Sequence, residues 1–256
     1  MANSGNGAKR YAHICGWGTS VPKRILSNSE LAQMVDTDDK WIVERTGISQ
    51  RFIANAEETT ATLGADAARE ALDIANISPD DLDLIIVATC TPEHNFPSTA
   101  SIIQDALGAR NAGAFDISAA CTGFVYALSI ASQAIQSTTM NTVLVIGAET
   151  LSKIVNWDDR GTCVLFGDGA GAFVLQGSYD PGGVRTSVLR SDGSGRDLLK
   201  VPAGGSAIPT SYDTIRDNLH CIQMNGREVF RFATRVMADA CRDVVSAAGL
   251  TMEDID

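Results

Sequence analysis

The sequence predicts an α/β fold, with helices packed on sheets, and three observations carry that prediction. Short apolar runs alternate with stretches of helical periodicity. Of the 256 residues, 45% are hydrophobic and 20% charged, the balance of a globular protein with a real core. One segment also recurs late in the chain, the mark of a duplicated unit.

Taken in order, a first strand is expected over residues 12–15, then helices over 29–35 and 59–75. The apolar run Leu84-Ile85-Ile86-Val87-Ala88 is the next strand. A helix over 98–107, a strand over 114–117, a helix over 122–136 and a strand over 143–146 follow. Strands over 171–175 and 184–189 precede a long helix over 228–248. The 122–136 helix carries almost no charge on any face, which predicts burial on all sides, as between two sheets.

The repeat pairs Ala65-Asp66-Ala67-Ala68-Arg69-Glu70 with Ala238-Asp239-Ala240-Cys241-Arg242-Asp243. At the same offset, the segment from Ala75 to Asp83 matches that from Ala248 to Asp256. Each copy is a helix, a small-residue stop, a capping Ser or Thr and an acidic turn. After Asp83 the first copy enters a strand, and after Asp256 the sequence ends. The expectation is a duplicated fold, with an N-terminal half at 1–178 and an incomplete second half at 179–256, short by about 90 residues. Chance similarity between two alanine-rich helices is the alternative.

A net charge of −11 disfavours nucleic acid, and no run reaches the length a membrane span needs. Residues 1–10 read as a polar tail without the apolar core of a signal peptide. The six cysteines lack CxxC pairing, so the expectation is a reduced cytoplasmic protein with no metal site and no cofactor.

Among the cysteines, Cys121 stands out. It follows a strand and the small residues Ser118-Ala119-Ala120, and it leads through Thr122-Gly123 into the apolar helix. A thiol at a helix N-terminus loses its proton more readily, and small neighbours leave room for a carbonyl. A buried structural cysteine is the other reading. The remaining five lie in apolar or strand-like surroundings and read as packing.

The stretch Asp116-Ile117-Ser118-Ala119-Ala120-Cys121-Thr122-Gly123-Phe124 resembles the nucleophile motif of the β-ketoacyl-ACP synthase III family. The resemblance extends to the segment from Val35 to Ile48, to His94-Asn95-Phe96-Pro97-Ser98, to Asp159-Arg160-Gly161-Thr162 and to the segment from Phe166 to Ala172. It runs in order from Tyr11 to Asp256. It implies a thiolase-like, layered αβαβα fold of two similar halves, the second incomplete here. It also implies a ping-pong reaction in which Cys121 takes an acyl group, most simply acetyl, from acyl-CoA. Malonyl-ACP then loses CO₂ and attacks the thioester to give 3-oxoacyl-ACP, so that CoA and ACP phosphopantetheine enter as substrates.

By the same resemblance, Trp41 and Arg45 match positions that contact CoA, with Trp41 stacking on the adenine and Arg160 on the base's other side. Thr37, Gly161 and Phe230 are weaker matches to the channel wall. Phe96 matches a residue that closes the partner's acyl pocket in a homodimer. The plainer alternatives are a half-buried Trp anchor, solvated arginines and simple packing at Phe96. The glycine loop from Gly167 to Gly171 lacks the phosphate-cradling pattern and reads as close strand packing. The family's catalytic His and Asn have no counterpart here, because His13, His94 and His220 read as structural or surface residues. His220 is expected in a strand before Met224. The expectation is therefore a chain that condenses poorly or not at all. The alternatives are a non-catalytic fragment, half of a split enzyme, or a relative with another primer.

Overall fold

The structure, a computed structural model, describes residues 9–256. The polar tail expected over 1–10 lies outside the described residues apart from Lys9 and Arg10. The elements run β1 (Tyr11–Ser20), β2 (Arg24–Ser27), α1 (Asn28–Leu31), α2 (Asp39–Thr46), β3 (Gln50–Ile53), α3 (Thr60–Ala75), β4 (Leu84–Ala88) and α4 (Thr99–Leu107). They continue with β5 (Gly113–Ile117), α5 (Gly123–Gln136), β6 (Thr142–Thr150), α6 (Arg160–Cys163), β7 (Asp168–Ser178), β8 (Leu199–Lys200), α7 (Tyr212–Arg216), β9 (Gln223–Met224) and α8 (Gly226–Ala247).

The chain forms two interleaved compact units. The first comprises the chain up to Val21, Glu58–Glu149 and Gly169–Ser187. Its five-stranded sheet has the order β1-β7-β6-β4-β5, with β4 parallel to β5 and β6, and β1 antiparallel to β7. Every residue of β4 is buried. Ile85 and Val87 join Ala100, Ile103 and the alanines of α3 in one core, while Leu84, Ile86 and Ala88 join Ala127, Ala131 and Ile135 of α5 in another. Successive side chains of a strand point to opposite faces, so this run fills the layers on both sides of the sheet.

Helix α3 lies unusually close to β1. A Cβ at Gly18 would sit 2.1 Å from the Ala67 carbonyl oxygen, and one at Gly16 would sit 2.1 Å from that of Ala71. Only glycine lets the two backbones meet. Thr59 caps the helix by accepting from Thr62 N–H, and Asn76 ends it in the left-handed conformation.

The second unit comprises Pro22–Glu57, Thr150–Asp168 and Val188–Asp256. The antiparallel pair β2–β3 packs with α1, α2 and α6 around Leu26, Leu31, Ile42, Ile53, Val155, Cys163, Val164 and Ile222. The contiguous halves expected from the repeat, 1–178 and 179–256, describe a duplication along the sequence, which is a different division from these interleaved units.

Four expectations are corrected. Residues 184–189 form no strand, because a single bond from Val184 N–H to the Ala12 carbonyl is no ladder. The expected 29–35 helix stops at Leu31, and the chain goes on as turns in which the Gln33 and Met34 amides bond three residues back. Helix α5 is buried over much but not all of its surface: Ser129 and Ser132 are buried along with Ala127, Ala131 and Ile135, whereas Val125 is 47% exposed. His220 sits in a turn before β9 rather than in a strand. The repeated helix behaves differently in its two copies, since nine residues of α3 are buried and none of α8.

Candidate active site

The predicted site residues fall into two groups, one in each unit. In the first unit, β5 ends at Ile117 and the chain turns through a single 3₁₀ turn, Ala120–Thr122, into α5. Ala120 carries a left-handed φ of 46°. That conformation costs a residue with a Cβ about 1–2 kcal/mol, and strain of this kind gathers where a side chain must be held out for use. The side chain so held is Cys121, which is exposed at the entry to the helix. Gly123 lets the helix approach β4, because a Cβ there would lie 3.1 Å from the Ala88 Cβ.

Two carboxylates fix this corner. Asp116, on β5, accepts from the backbone N–H groups of Thr99 and Ala100, both at 2.7 Å, and so ties the strand to the first turn of α4. Glu149, near the end of β6, accepts from Cys90 N–H at 2.7 Å and from the Thr91 hydroxyl at 2.5 Å, pinning the loop that leaves β4. Neither carboxylate was singled out from the sequence. An acidic residue near the C-terminal end of an otherwise apolar strand was the available signal.

The Cys90 thiol lies among Glu149, Cys121 and the Ala120 amide. Desolvation by burial, followed by the Glu149 charge and Cys121, pushes its pKa up to about 11, against a hydrogen bond from Ala120. At pH 8 only about 0.1% of Cys90 is thiolate on that value. Iodoacetamide at pH 8 should therefore label Cys121 well before Cys90, as read by peptide mass. Labelling of Cys90 first would contradict this electrostatic picture.

In the second unit, Asp38 caps α2 by accepting from Trp41 N–H at 2.7 Å, and Gly47 ends the helix at a φ of 72°. Trp41 and Arg45 are one helical turn apart, and the Arg45 guanidinium carbon stands 4.5 Å from the Trp41 ring centroid. Arg160, the first residue of α6, brings its guanidinium carbon to 4.9 Å from the same ring and donates to the Asp36 carbonyl at 2.7 Å. An indole face flanked by two planar cations is a surface suited to a flat, anionic ligand. Nearby in sequence, the Thr37 hydroxyl is buried without a hydrogen-bond partner among the described residues. Gly161 N–H donates to its capping residue Asp159 at 2.9 Å.

Other predicted residues are not gathered here. Phe230, on α8, is 68% exposed, and no ring contact joins it to Trp41 among the described residues. Phe96, in the first unit, is 86% exposed ahead of α4. The glycine loop carries Asp168, whose carboxylate accepts from Ala54 N–H, Ser152 N–H and the Ser152 hydroxyl. A Cβ at Gly167 would lie 3.0 Å from the Arg51 Cβ. The loop is thus packed rather than open, as its sequence suggested.

A model of the 3-oxoacyl-[acyl-carrier-protein (ACP)] synthase III family matches residues 115–193, which include Cys121 and Arg160. The beta-ketoacyl-[acyl-carrier-protein] synthase III of Caldanaerobacter subterraneus subsp. tengcongensis is 54% identical over 97% of this chain and 75% of its own length. The crystal structure of 3-oxoacyl-[acyl-carrier-protein] synthase III from Aquifex aeolicus VF5 superposes with a TM-score of 0.87 at 47% identity, over 95% of this chain and 74% of that one. The priming beta-ketosynthase of the R1128 polyketide pathway gives 0.88 at 36% identity, over 99% and 75%.

Proposed function

The chain belongs to the β-ketoacyl-[acyl-carrier-protein] synthase III family of condensing acyltransferases, and on that premise we propose that Cys121 carries its acyl group. The observation that carries the proposal is the exposed Cys121 on the strained turn between β5 and α5. Its thiolate attacks the acyl-CoA carbonyl, the oxyanion collapses, and CoA leaves as a thiol, with the acyl group held as a thioester. Malonyl-ACP then loses CO₂. Its carbanion attacks the thioester carbonyl, Cys121 leaves, and 3-oxoacyl-ACP is released.

Trp41, Arg45 and Arg160 hold the CoA end: the indole face takes the adenine and the guanidiniums take phosphate. By the resemblance, Thr37, Gly161 and Phe230 are weaker candidates for contact with the acyl donor. Acetyl is the primer proposed. The likeness to a polyketide priming enzyme keeps a different primer as the second reading. Phe96, open to solvent, is the residue proposed to meet the second copy of a homodimer. The reaction uses no cofactor beyond its thioester substrates, and the free thiols fit a reduced cytoplasm. No helix of the described residues is long and apolar enough to cross a membrane.

The exposed Cys121 at the entry to α5 supports the loading step directly. The test is incubation with acetyl-CoA and malonyl-ACP, reading the mass of the carrier protein. An acylated chain, lost in a Cys121→Ala variant, is the expected result, with 3-oxoacyl-ACP marking onward transfer. Folded protein that neither loads nor condenses would reject the proposal.

A further inference from the structure

Two buried polar residues in the second unit join elements that carry the Trp41 cluster. Arg51, on β3, is 5% exposed, and Asn28, the first residue of α1, is 1% exposed. Arg51 Nη2 donates to Asn28 Oδ1 at 2.8 Å and to the Val164 carbonyl at 3.2 Å, while Nη1 donates to the Leu26 carbonyl at 3.3 Å. Asn28 Nδ2 then donates to Asp39 Oδ1 and to the Ile48 carbonyl, both at 2.8 Å. Asp39 opens α2 and Ile48 lies just past its end, whereas Val164 caps α6, the helix that begins at Arg160. One buried chain of hydrogen bonds thus runs from both ends of the helix bearing Trp41 and Arg45 to the helix bearing Arg160.

The chemistry chosen for this position is costly. The three acceptors of Arg51 are neutral oxygens, Nε has no partner among the described residues, and burial lowers the guanidinium pKa. A hydrocarbon side chain would fill the same space without the desolvation penalty. What a guanidinium adds is a rigid fork of donors that reaches the β2–α1 junction and the end of α6 at once. Asn28 extends the fork because its amide accepts on one side and donates on the other.

We infer that Arg51 and Asn28 are positioning residues for a nucleotide clamp: they set the spacing of Trp41 and Arg160 and thereby the affinity for the adenine-nucleotide end of the acyl donor. This rests on the reading of Trp41 and Arg160 as the base-binding pair. A merely structural role would change stability without any coupling to Trp41.

The test is calorimetric titration of the full chain with coenzyme A, for wild type, Trp41→Ala, Arg51→Lys, Asn28→Ala and the double variant Trp41→Ala/Arg51→Lys, with folding checked by circular dichroism. Arg51→Lys and Asn28→Ala should each weaken binding about tenfold, and Arg51→Lys should add less than about twofold once Trp41 is gone. Asp39→Ala, at the exposed end of the same chain of bonds, should weaken binding several-fold with the same loss of additivity, and it carries the test if a core variant does not fold. Folded variants with wild-type affinity, or effects that add fully to that of Trp41→Ala, would overturn the inference while leaving the clamp standing. A wild-type chain that does not bind coenzyme A, or a Trp41→Ala change without effect, would reject the clamp and the inference together.

Discussion

Replacing Cys121 by serine is expected to slow acyl loading from acetyl-CoA at least about 10³-fold while leaving the thermal transition in place. The other cysteines offer no substitute. Burial raises the pKa of the Cys15, Cys163 and Cys221 thiols, aided at Cys163 by the Asp159 charge. Cys15 also donates its thiol to the Val174 carbonyl at 3.4 Å. Cys90 is exposed but stays protonated near neutrality, with its pKa pushed up to about 11. Cys241 is exposed within α8, far along the helix from its N-terminus, and gains nothing from the free N–H groups there. Single-turnover release of CoA checks the prediction. A serine variant with near-wild-type release would move the nucleophile elsewhere.

Gly18→Val is expected to cost more than about 3 kcal/mol and to leave little folded protein. The new Cβ would lie 2.1 Å from the Ala67 carbonyl oxygen and 2.7 Å from the Ala71 nitrogen. Both atoms are backbone of α3, so no side chain can rotate out of the way. Moving α3 away would open the core that its alanines share with Ile85, Val87 and Ile103. Gly193→Ala is the control, because a Cβ there meets nothing within 4 Å and the change should be near neutral. Thermal unfolding followed by circular dichroism distinguishes them. A Gly18→Val protein that melts with the wild type would mean that β1 and α3 are less tightly joined than their backbones indicate.

Much of the first unit was legible in the sequence because its signals are local. The apolar run at Leu84 marks β4 to the residue, and α3, α4 and α5 begin within one residue of their expected starts. Cys121 was legible for the same reason, since strand, small residues and apolar helix are contiguous. The resemblance pointed to Trp41 and Arg45, although the short helix that pairs them was not expected. Asp38 as cap and Gly47 as stop were its overlooked signals. Residues 184–189 have the composition of a strand, but strand formation depends on a neighbour to pair with, which composition does not report. The interleaving of the two units and the bonds from Arg51 to Asn28 depend on long-range closure, and a buried arginine has no periodicity to betray it.

The central claim is that this chain accepts an acyl group on Cys121. Its most direct test is mass spectrometry of the intact chain after exposure to acetyl-CoA, followed by peptide mapping. The account predicts a single addition of about 42 Da on the peptide that contains Cys121, as a thioester requires. An adduct mapped to Cys90 or Cys241, or none on protein shown to be folded, would contradict it.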